Sequence, residues 1–302
     1  MATRILLALL VMTSLGRHVW AQQAPAKITI GIYAPTVEFG TAQARLAYVQ
    51  GLAKAIEQNT GIKTEAQSYA TMAALKKDSP DFAIVDGVCY ATNLSWKLLA
   101  NANIGGSTTR VWSLYTNGGE SMQALKGKKL AFIAAGCNDA GFIDNAMLES
   151  EVDTTFFSAR QGEKDLTGAV ASVSSYKTAQ AVFAPAGSAK GLTKLFDTGN
   201  VPNPAFVDVS GKLPAATSEK VAAAVVGYGG SGAISGWTKP SREPYQALAS
   251  RLAPVKKTGI FAGPEPARLE AKDVLIDPTS LKDPAYVAVR VHFVRPPGAR
   301  ME

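Results

Sequence analysis

The sequence predicts an α/β fold of two lobes joined by two chain crossings, and three observations lead there. Short apolar runs alternate with segments of helical periodicity from residue 27 to 252. The alternation pauses at the polar "GGES" beginning at Gly118 and then restarts. After that second series closes, "PAFVDVSG" (204–211) supplies one more apolar strand, as a chain returning to its first lobe would need. Alternating strands and helices imply parallel sheets, whose ligand-bearing loops gather at the carboxyl ends of the strands. With 302 residues, 47% of them hydrophobic, the chain is long enough to bury two such cores.

The elements follow in order. Residues 1–21, "MATRILLALLVMTSLGRHVWA", combine Arg4, an apolar run from Ile5 to Val11 and a small-x-small ending at Val19-Trp20-Ala21, the features of a cleavable secretory signal. Export to the periplasm, with a mature start at Gln22, is therefore expected. The run is too short to span a bilayer and no other segment approaches the required length, so the chain is not expected to be membrane-spanning. Lobe 1 is expected over 27–116 and again over 204–252. In it "KITIGIYAP" reads as a strand, and Leu46, Val49, Leu52, Ala53 and Ile56 recur at helical spacing before Gly61. "GIKTEAQS", "DFAIVDG" and "TRVWSLYTN" read as strands, "TMAALKKDSP" and "VCYATNLSWKLLANA" as helices. Lobe 2, over 117–203, repeats the logic: strands "KKLAFIAAG", "TTFFSA" and "AQAVFAPAG", helices "FIDNAMLES", "DLTGAVASVSSY" and "AKGLTKLF". Helices "SEKVAAAVVGY" and "YQALASRLAP" follow the return strand, and 253–302 reads as a C-terminal extension with two added strands.

Charge and histidine content narrow the function. Removing 1–21 takes Arg4, Arg17 and His18 and no acid, leaving 29 basic against 24 acidic side chains, a formal charge of +5. The cations are scattered or in short pairs such as Lys76-Lys77, Lys128-Lys129 and Lys256-Lys257, which argues against a nucleic-acid surface. One histidine, His292, is left, so a His-rich zinc site or an HExxH motif is ruled out, and no cofactor or metal is expected.

With these segments placed, residues 27–252 resemble the phosphonate-binding-like branch of periplasmic solute-binding proteins, the receptors of ABC importers. The residues that carry the resemblance are "DFAIVDGVCYA", "LKGKKLAFIAAGCNDAGF", "VPNPAFVDVSGKLPAATSEKVAAAV" and "GAISGWTKPSREPYQALASRL", in that order. The resemblance implies a type 2 periplasmic-binding fold, a non-enzymatic monomer that holds a small polar solute, phosphonate-like or another oxyanion, between its lobes, and an ABC permease as partner. Two positions depart from the family. The turn opening lobe 2, rich in Ser, Thr and Gly in such proteins, here holds Gly136, Cys137, Asn138, Asp139 and Ala140, and the acid often found after the third strand of lobe 2 is replaced by Ala184 and Pro185.

The loops "YAPTV", "QSYAT", "DGVCY", "AAGCND" and "VFAPAG" should converge on one cleft, which makes Tyr33, Ser68, Tyr69, Thr71, Cys89, Tyr90, Cys137, Asn138, Asp139 and Ala140 the candidate ligand-binding residues. Asp139 reads most simply as a helix N-cap, leaving the N–H groups of Asn138 and Ala140 for a ligand. Its charge suits a solute that pairs an accepting group with a cationic or hydrogen-bond-donating part. Tyr33 and Tyr90 are either phenols reaching into the cleft or packing residues. Ser68 and Thr71 are either donors or caps, and Asp86 reads as a cap for the helix near Cys89. Two cysteines in an exported chain ordinarily mean a disulfide, yet Cys89 and Cys137 are placed on opposite lobes, where a bond would clamp bodies that must separate. The order of expectation is small liners in place of serine, then a redox-sensitive lock, then thiolate ligands for a soft metal such as Cu(I). The rival functions are a thiol-dependent enzyme with Cys137 as nucleophile and a receptor feeding a sensor.

Overall fold

In a computed structural model of the protein the described residues are 25, 27–119, 121–230 and 232–254. The expected signal at 1–21 and nearly all of the extension at 253–302, including His292 and its strands, lie outside them.

Two sheets organise the described chain. The first has the order β11-β4-β10-β3-β1-β2, built from β1 (Lys27–Tyr33), β2 (Lys63–Ser68), β3 (Phe82–Val85), β4 (Lys97–Asn103), β10 (Ala205–Asp208) and β11 (Gly236–Thr238). The second has the order β7-β6-β8-β5-β9, from β5 (Thr109–Thr116), β6 (Lys129–Ile133), β7 (Ala159–Glu163), β8 (Ala181–Pro185) and β9 (Thr193–Pro202). Strands β1, β2 and β3 run parallel, as do β6, β7 and β8. In each sheet the strand that arrives from the other lobe enters antiparallel beside the third parallel strand: β10 against β3, and β5 against β8. This is the two-lobed α/β fold the sequence predicts.

Local chemistry explains the elements that position the seam between the sheets. Helix α1 (Ala42–Thr60) starts where the Thr41 hydroxyl accepts the Ala44 N–H and stops at Gly61 in the left-handed region, φ 71°. Its Val49, Leu52 and Ile56 pack against Ile28, Ile30 and Ile32 of β1 in one core. Helix α2 (Met72–Asp78) is capped by Thr71, and α3 (Gly87–Ala91) by Asp86. In lobe 2, α4 (Asp139–Gly141) runs into a π-helical turn, Phe142–Met147, and α5 (Leu166–Ser174) is capped by Asp165. Helices α6 (Ala215–Val226) and α7 (Glu243–Leu252) complete the described chain.

Several elements differ from the sequence reading. Thr109–Thr116, expected as the last strand of the first lobe, pairs with β8 and β9 in the second sheet, so the first crossing falls before it. "VCYATNLSWKLLANA" is a short helix followed by strand β4, because Thr92 Oγ1 and Asn93 Nδ2 both donate to the Cys89 carbonyl and end the helix. The second half of "AKGLTKLF" is strand: β9 begins at Thr193 and runs the length of β5. The strand expected at "TTFFSA" falls at Ala159–Glu163 instead.

The two crossings lie side by side and are tied together at Asn203. Its N–H donates to Thr108 O (2.9 Å), its Nδ2 to Ser107 O (2.8 Å), and its Oδ1 accepts from Arg110 Nε (2.8 Å). Gly87, the first residue of α3, lets that helix lie against the second crossing, since a Cβ there would sit 2.0 Å from the Pro202 carbonyl oxygen. Helix α7 straps both lobes. Tyr245 Oη donates to Asn203 O at 3.0 Å, and the Arg251 guanidinium donates to Ala146 O, to Thr198 O (2.7 Å) and to Asn200 O (3.1 Å).

Candidate functional site

The carboxyl ends of β1, β3 and β6 face each other across the seam, and the sequence places Tyr33, Cys89 and Cys137 there. Tyr33 Oη donates to Ala135 O at 2.9 Å, joining the lobes, and its phenol is pushed up by burial, with Asp86 and Asp139 adding to the shift and Arg45 opposing it. Cys89 and Cys137 form a disulfide, with Cα atoms 4.9 Å apart. This corrects the ordering that put free liners first. Helix α3 and the turn after β6 meet face to face, so the bond is made between the lobes and clamps them. Both cysteines are buried, at 0% and 5% exposure, which is the setting of a structural staple rather than of a reactive lock. A disulfide offers no thiolate, so the nucleophile and soft-metal readings lose their reactive atom. No group of three or more metal-ligating side chains occurs among the described residues.

Asp139 is not the N-cap. Asn138 takes that position in the left-handed region, φ 63°, and its Oδ1 accepts the Gly141 N–H at 3.2 Å. Asp139 folds back instead, Oδ2 accepting Gly136 N–H at 3.0 Å and Oδ1 accepting Cys137 N–H at 3.4 Å. The turn that would present free N–H groups to an oxyanion carries its own carboxylate there. Asn138 and Ala140, expected to meet the ligand, are exposed. Asp139→Ala is expected to lower stability by about 1 kcal/mol, since water replaces part of each lost bond in a half-exposed turn, with Asp139→Asn costing less; urea midpoints of the two variants check this.

The other candidates separate. Ser68 Oγ accepts Arg45 Nε at 2.8 Å at the edge of the seam. Thr71 caps α2 through the Ala74 N–H. Tyr69 is buried against Gly31, and Tyr90 packs edge-to-face on Tyr245, with ring centroids 4.8 Å apart, while its hydroxyl donates to Trp96 O. Ser68 and Thr71 stay outside the central cluster, and Tyr69 and Tyr90 enter it as packing residues.

That cluster is apolar. One continuous buried core runs through the seam from Tyr33, Val88 and Cys89 to Ala135, Cys137, Ile143 and Phe183. Trp112, Phe142 and Phe183 fill the space opposite Thr36 and Val88, leaving a cavity of ≈ 20 Å³, about the room of one water. Beside it lies a buried polar network that the sequence reading missed in part. Asp86, besides capping α3, accepts from Thr36 Oγ1 (2.6 Å) and Thr36 N–H (3.1 Å), and Arg110 donates to Thr36 O (3.2 Å). Burial pushes the Asp86 carboxyl up while the Thr36 and Val88 donors and Arg110 pull it back. Burial likewise pushes the Arg110 guanidinium down, with Asp86 and then Glu38 holding it up.

The seam opens at its other end. A pocket of ≈ 220 Å³ is lined by Pro35, Thr41, Ala42 and Arg45 from the first lobe and by Lys164 and Asp165 from the second. The N–H of Leu166, at the start of α5, closes one side by donating to Pro35 O at 3.0 Å. Arg45 and Lys164 bring two positive charges from opposite lobes, and Asp165, which accepts the Gly168 N–H at 2.9 Å, brings one negative. Nothing in the periodicity singled these out, because a cation on an exposed helix turn or loop ordinarily reads as a solvated face.

Comparison with solved structures identifies the fold. The binding-protein component of an ABC phosphonate transporter from Pseudomonas aeruginosa matches with a TM-score of 0.58 at 13% identity, over 88% of this chain and 97% of that one. PhnD1 from Prochlorococcus marinus, in complex with methylphosphonate, matches with a TM-score of 0.56 at 10% identity, over 74% and 96%. XAC2383 from Xanthomonas citri, bound to ATP, matches with a TM-score of 0.56 at 11% identity, over 76% and 97%. The chain therefore has the phosphonate-binding-like periplasmic binding fold. No sequence-family model matches the chain. No curated protein matches it either. No helix among the described residues is long and apolar enough to cross a membrane.

Proposed function

We propose that this chain is a periplasmic solute receptor that takes a small oxyanion of the phosphonate class in the pocket between Arg45 and Lys164 and serves the permease of an ABC importer. The observation that carries the reading is that pocket: it is the roomy end of the seam, both lobes line it, and its lining side chains sum to one positive charge. Arg45 is held in place by Ser68 through one of its five N–H groups, which leaves the others to meet oxygen atoms. The methylphosphonate held by PhnD1 and the phosphonate transporter named for the Pseudomonas protein suggest the ligand class. In this proposal residues 1–21 are removed on export, the two lobes keep the division expected from the sequence apart from β5, 253–302 is an appended extension, and one chain completes the site without a second copy.

The disulfide changes how such a receptor would work. Lobes held by Cys89–Cys137 and by the Tyr33 hydrogen bond do not part as rigid bodies, so solute enters a preformed pocket at the mouth instead of being enclosed by hinge closure. The Asp139 carboxylate takes over the N–H groups that otherwise attract an anion deeper in the cleft.

A thermal-shift series with methylphosphonate, phosphate, sulfonates and aminophosphonates tests the reading, because a ligand bound by the folded state alone raises its melting temperature. Methylphosphonate is expected to stabilise the protein, and Arg45→Ala to weaken its binding by about 1.5–3 kcal/mol, the value of a charge-assisted hydrogen bond. Stabilisation that survives both Arg45→Ala and Lys164→Ala would place the solute elsewhere.

A further inference from the structure

Where α1 meets the end of α6, the first lobe carries a second concavity with different chemistry, and we propose that it is a binding site for a quaternary ammonium group. Three aromatic rings from three separate segments meet there: Phe39 in the loop ahead of α1, Tyr48 on α1, and Tyr228 just beyond α6. Tyr48 is central. Its ring centroid lies 5.7 Å from that of Phe39 at an interplanar angle of 52°, and 6.0 Å from that of Tyr228 at 73°. Rings tilted this way form a cup rather than a stack. Ala44 and Ala47 add only methyl groups, so the cup keeps a volume of ≈ 470 Å³, and Glu38 stands on its rim.

The chemistry of the lining selects the ligand. Aromatic faces carry the negative side of a quadrupole and attract a cation that sheds its water easily, which a methylated ammonium does and a small metal ion does not. Among the described residues that line the cup, Glu38 is the charged one, so no lysine or arginine from the lining occupies it. The central ring is fixed: the Tyr48 hydroxyl accepts Trp237 Nε1 at 3.0 Å, and burial pushes its phenol up, which keeps it neutral. Tyr228 lies across α1 with its hydroxyl over Gly51, where a Cβ would come within 2.9 Å of it. The absence of a side chain at Gly51 thus sets where one wall of the cup stands.

The site shares Phe39 with the proposed anion pocket but none of that pocket's charged groups, and it stands or falls separately. Choline chloride titrated into the full-length protein, followed by calorimetry, is the test, with 3,3-dimethylbutan-1-ol as an uncharged ligand of the same shape. Saturable choline binding is expected, about tenfold tighter than that of the alcohol, and Tyr228→Ala should weaken it by about tenfold while Tyr228→Phe leaves it within about twofold. Gly51→Ala should also weaken it by moving the Tyr228 phenol, without loss of thermal stability, because alanine favours a helix interior over glycine. In all three variants the methylphosphonate thermal shift should match that of the wild type. Equal binding of choline and the alcohol would overturn the proposal, as would choline binding that persists in both Tyr228→Ala and Gly51→Ala.

Discussion

Replacing Cys89 and Cys137 together by serine is expected to lower the stability of the oxidised protein by about 4 kcal/mol, the chain-entropy value for a cross-link spanning this length. The two residues are separated by 48 positions, and the segment between them contains β4, the first crossing, β5 and β6, so the bond restricts a large part of the unfolded ensemble. The native contribution works in the same direction. Without the bond, the lobes are joined at this point by the Tyr33 to Ala135 hydrogen bond and by apolar contact alone. Guanidinium unfolding of wild type and double variant under oxidising conditions measures the difference. The same bond should resist a dithiol reductant under native conditions, because both sulfurs belong to buried residues, and yield once denaturant exposes them. Rapid labelling of both thiols in the folded, reductant-treated protein would show that the seam opens far more readily than its packing implies.

The second large effect is expected at Asp86. This buried carboxylate accepts three hydrogen bonds, from the Thr36 hydroxyl, the Thr36 N–H and the Val88 N–H, and lies beside the Arg110 guanidinium. Asp86→Ala strands those buried donors, a cost of about 1–3 kcal/mol for each donor left unpaired, and removes the first of the two acids that hold the Arg110 guanidinium charged. Arg110 also donates to Asn203 across the two crossings and to Thr36 O, so the damage should spread to the crossings. Replacing Asp86 and Arg110 together should cost less than the sum of the single changes, because neither charge is then left alone. Chemical unfolding of the three variants checks both statements, and strict additivity would mean that the two groups do not interact.

Much of the architecture was legible because the periodicities were unambiguous. Helix α1 shows a clear apolar stripe between a threonine cap and a glycine stop, and β1 alternates around isoleucines that pack against it. The errors fell where an apolar run fits either period. "KLLANAN" is buried on both faces as β4, so no alternation marks it as a strand. In "LTKLF" the leucines stand three apart, as on a helix, but the long partner β5 draws the segment into a sheet. The site was harder to read for a different reason. The composition of the turn at Asp139 was plain, but which N–H groups the carboxylate accepts depends on the left-handed backbone of Asn138, which the residue types permit without requiring. The disulfide runs against the hinge opening that a two-lobed fold suggests, and the Thr36, Asp86 and Arg110 network brings together three segments that no spacing rule connects.

The placement of β10 between β3 and β4 also bears on the order in which the molecule can be assembled. As the chain emerges during synthesis, the first sheet has β2-β1-β3 on one side and β4 on the other, with the central position unfilled until residues 205–208 are available. The second sheet, by contrast, is one uninterrupted stretch of sequence from Thr109 to Pro202 and can complete itself earlier. The lobe that begins the chain is therefore the last to close. Both cysteines emerge well before that closing strand, so an oxidant acting on the nascent chain would meet them while their surroundings are half built. Native pairing then depends on β3 and β6 having already brought α3 and the Cys137 turn together, and export as an unfolded chain followed by oxidation would suit this topology better than oxidation in step with synthesis.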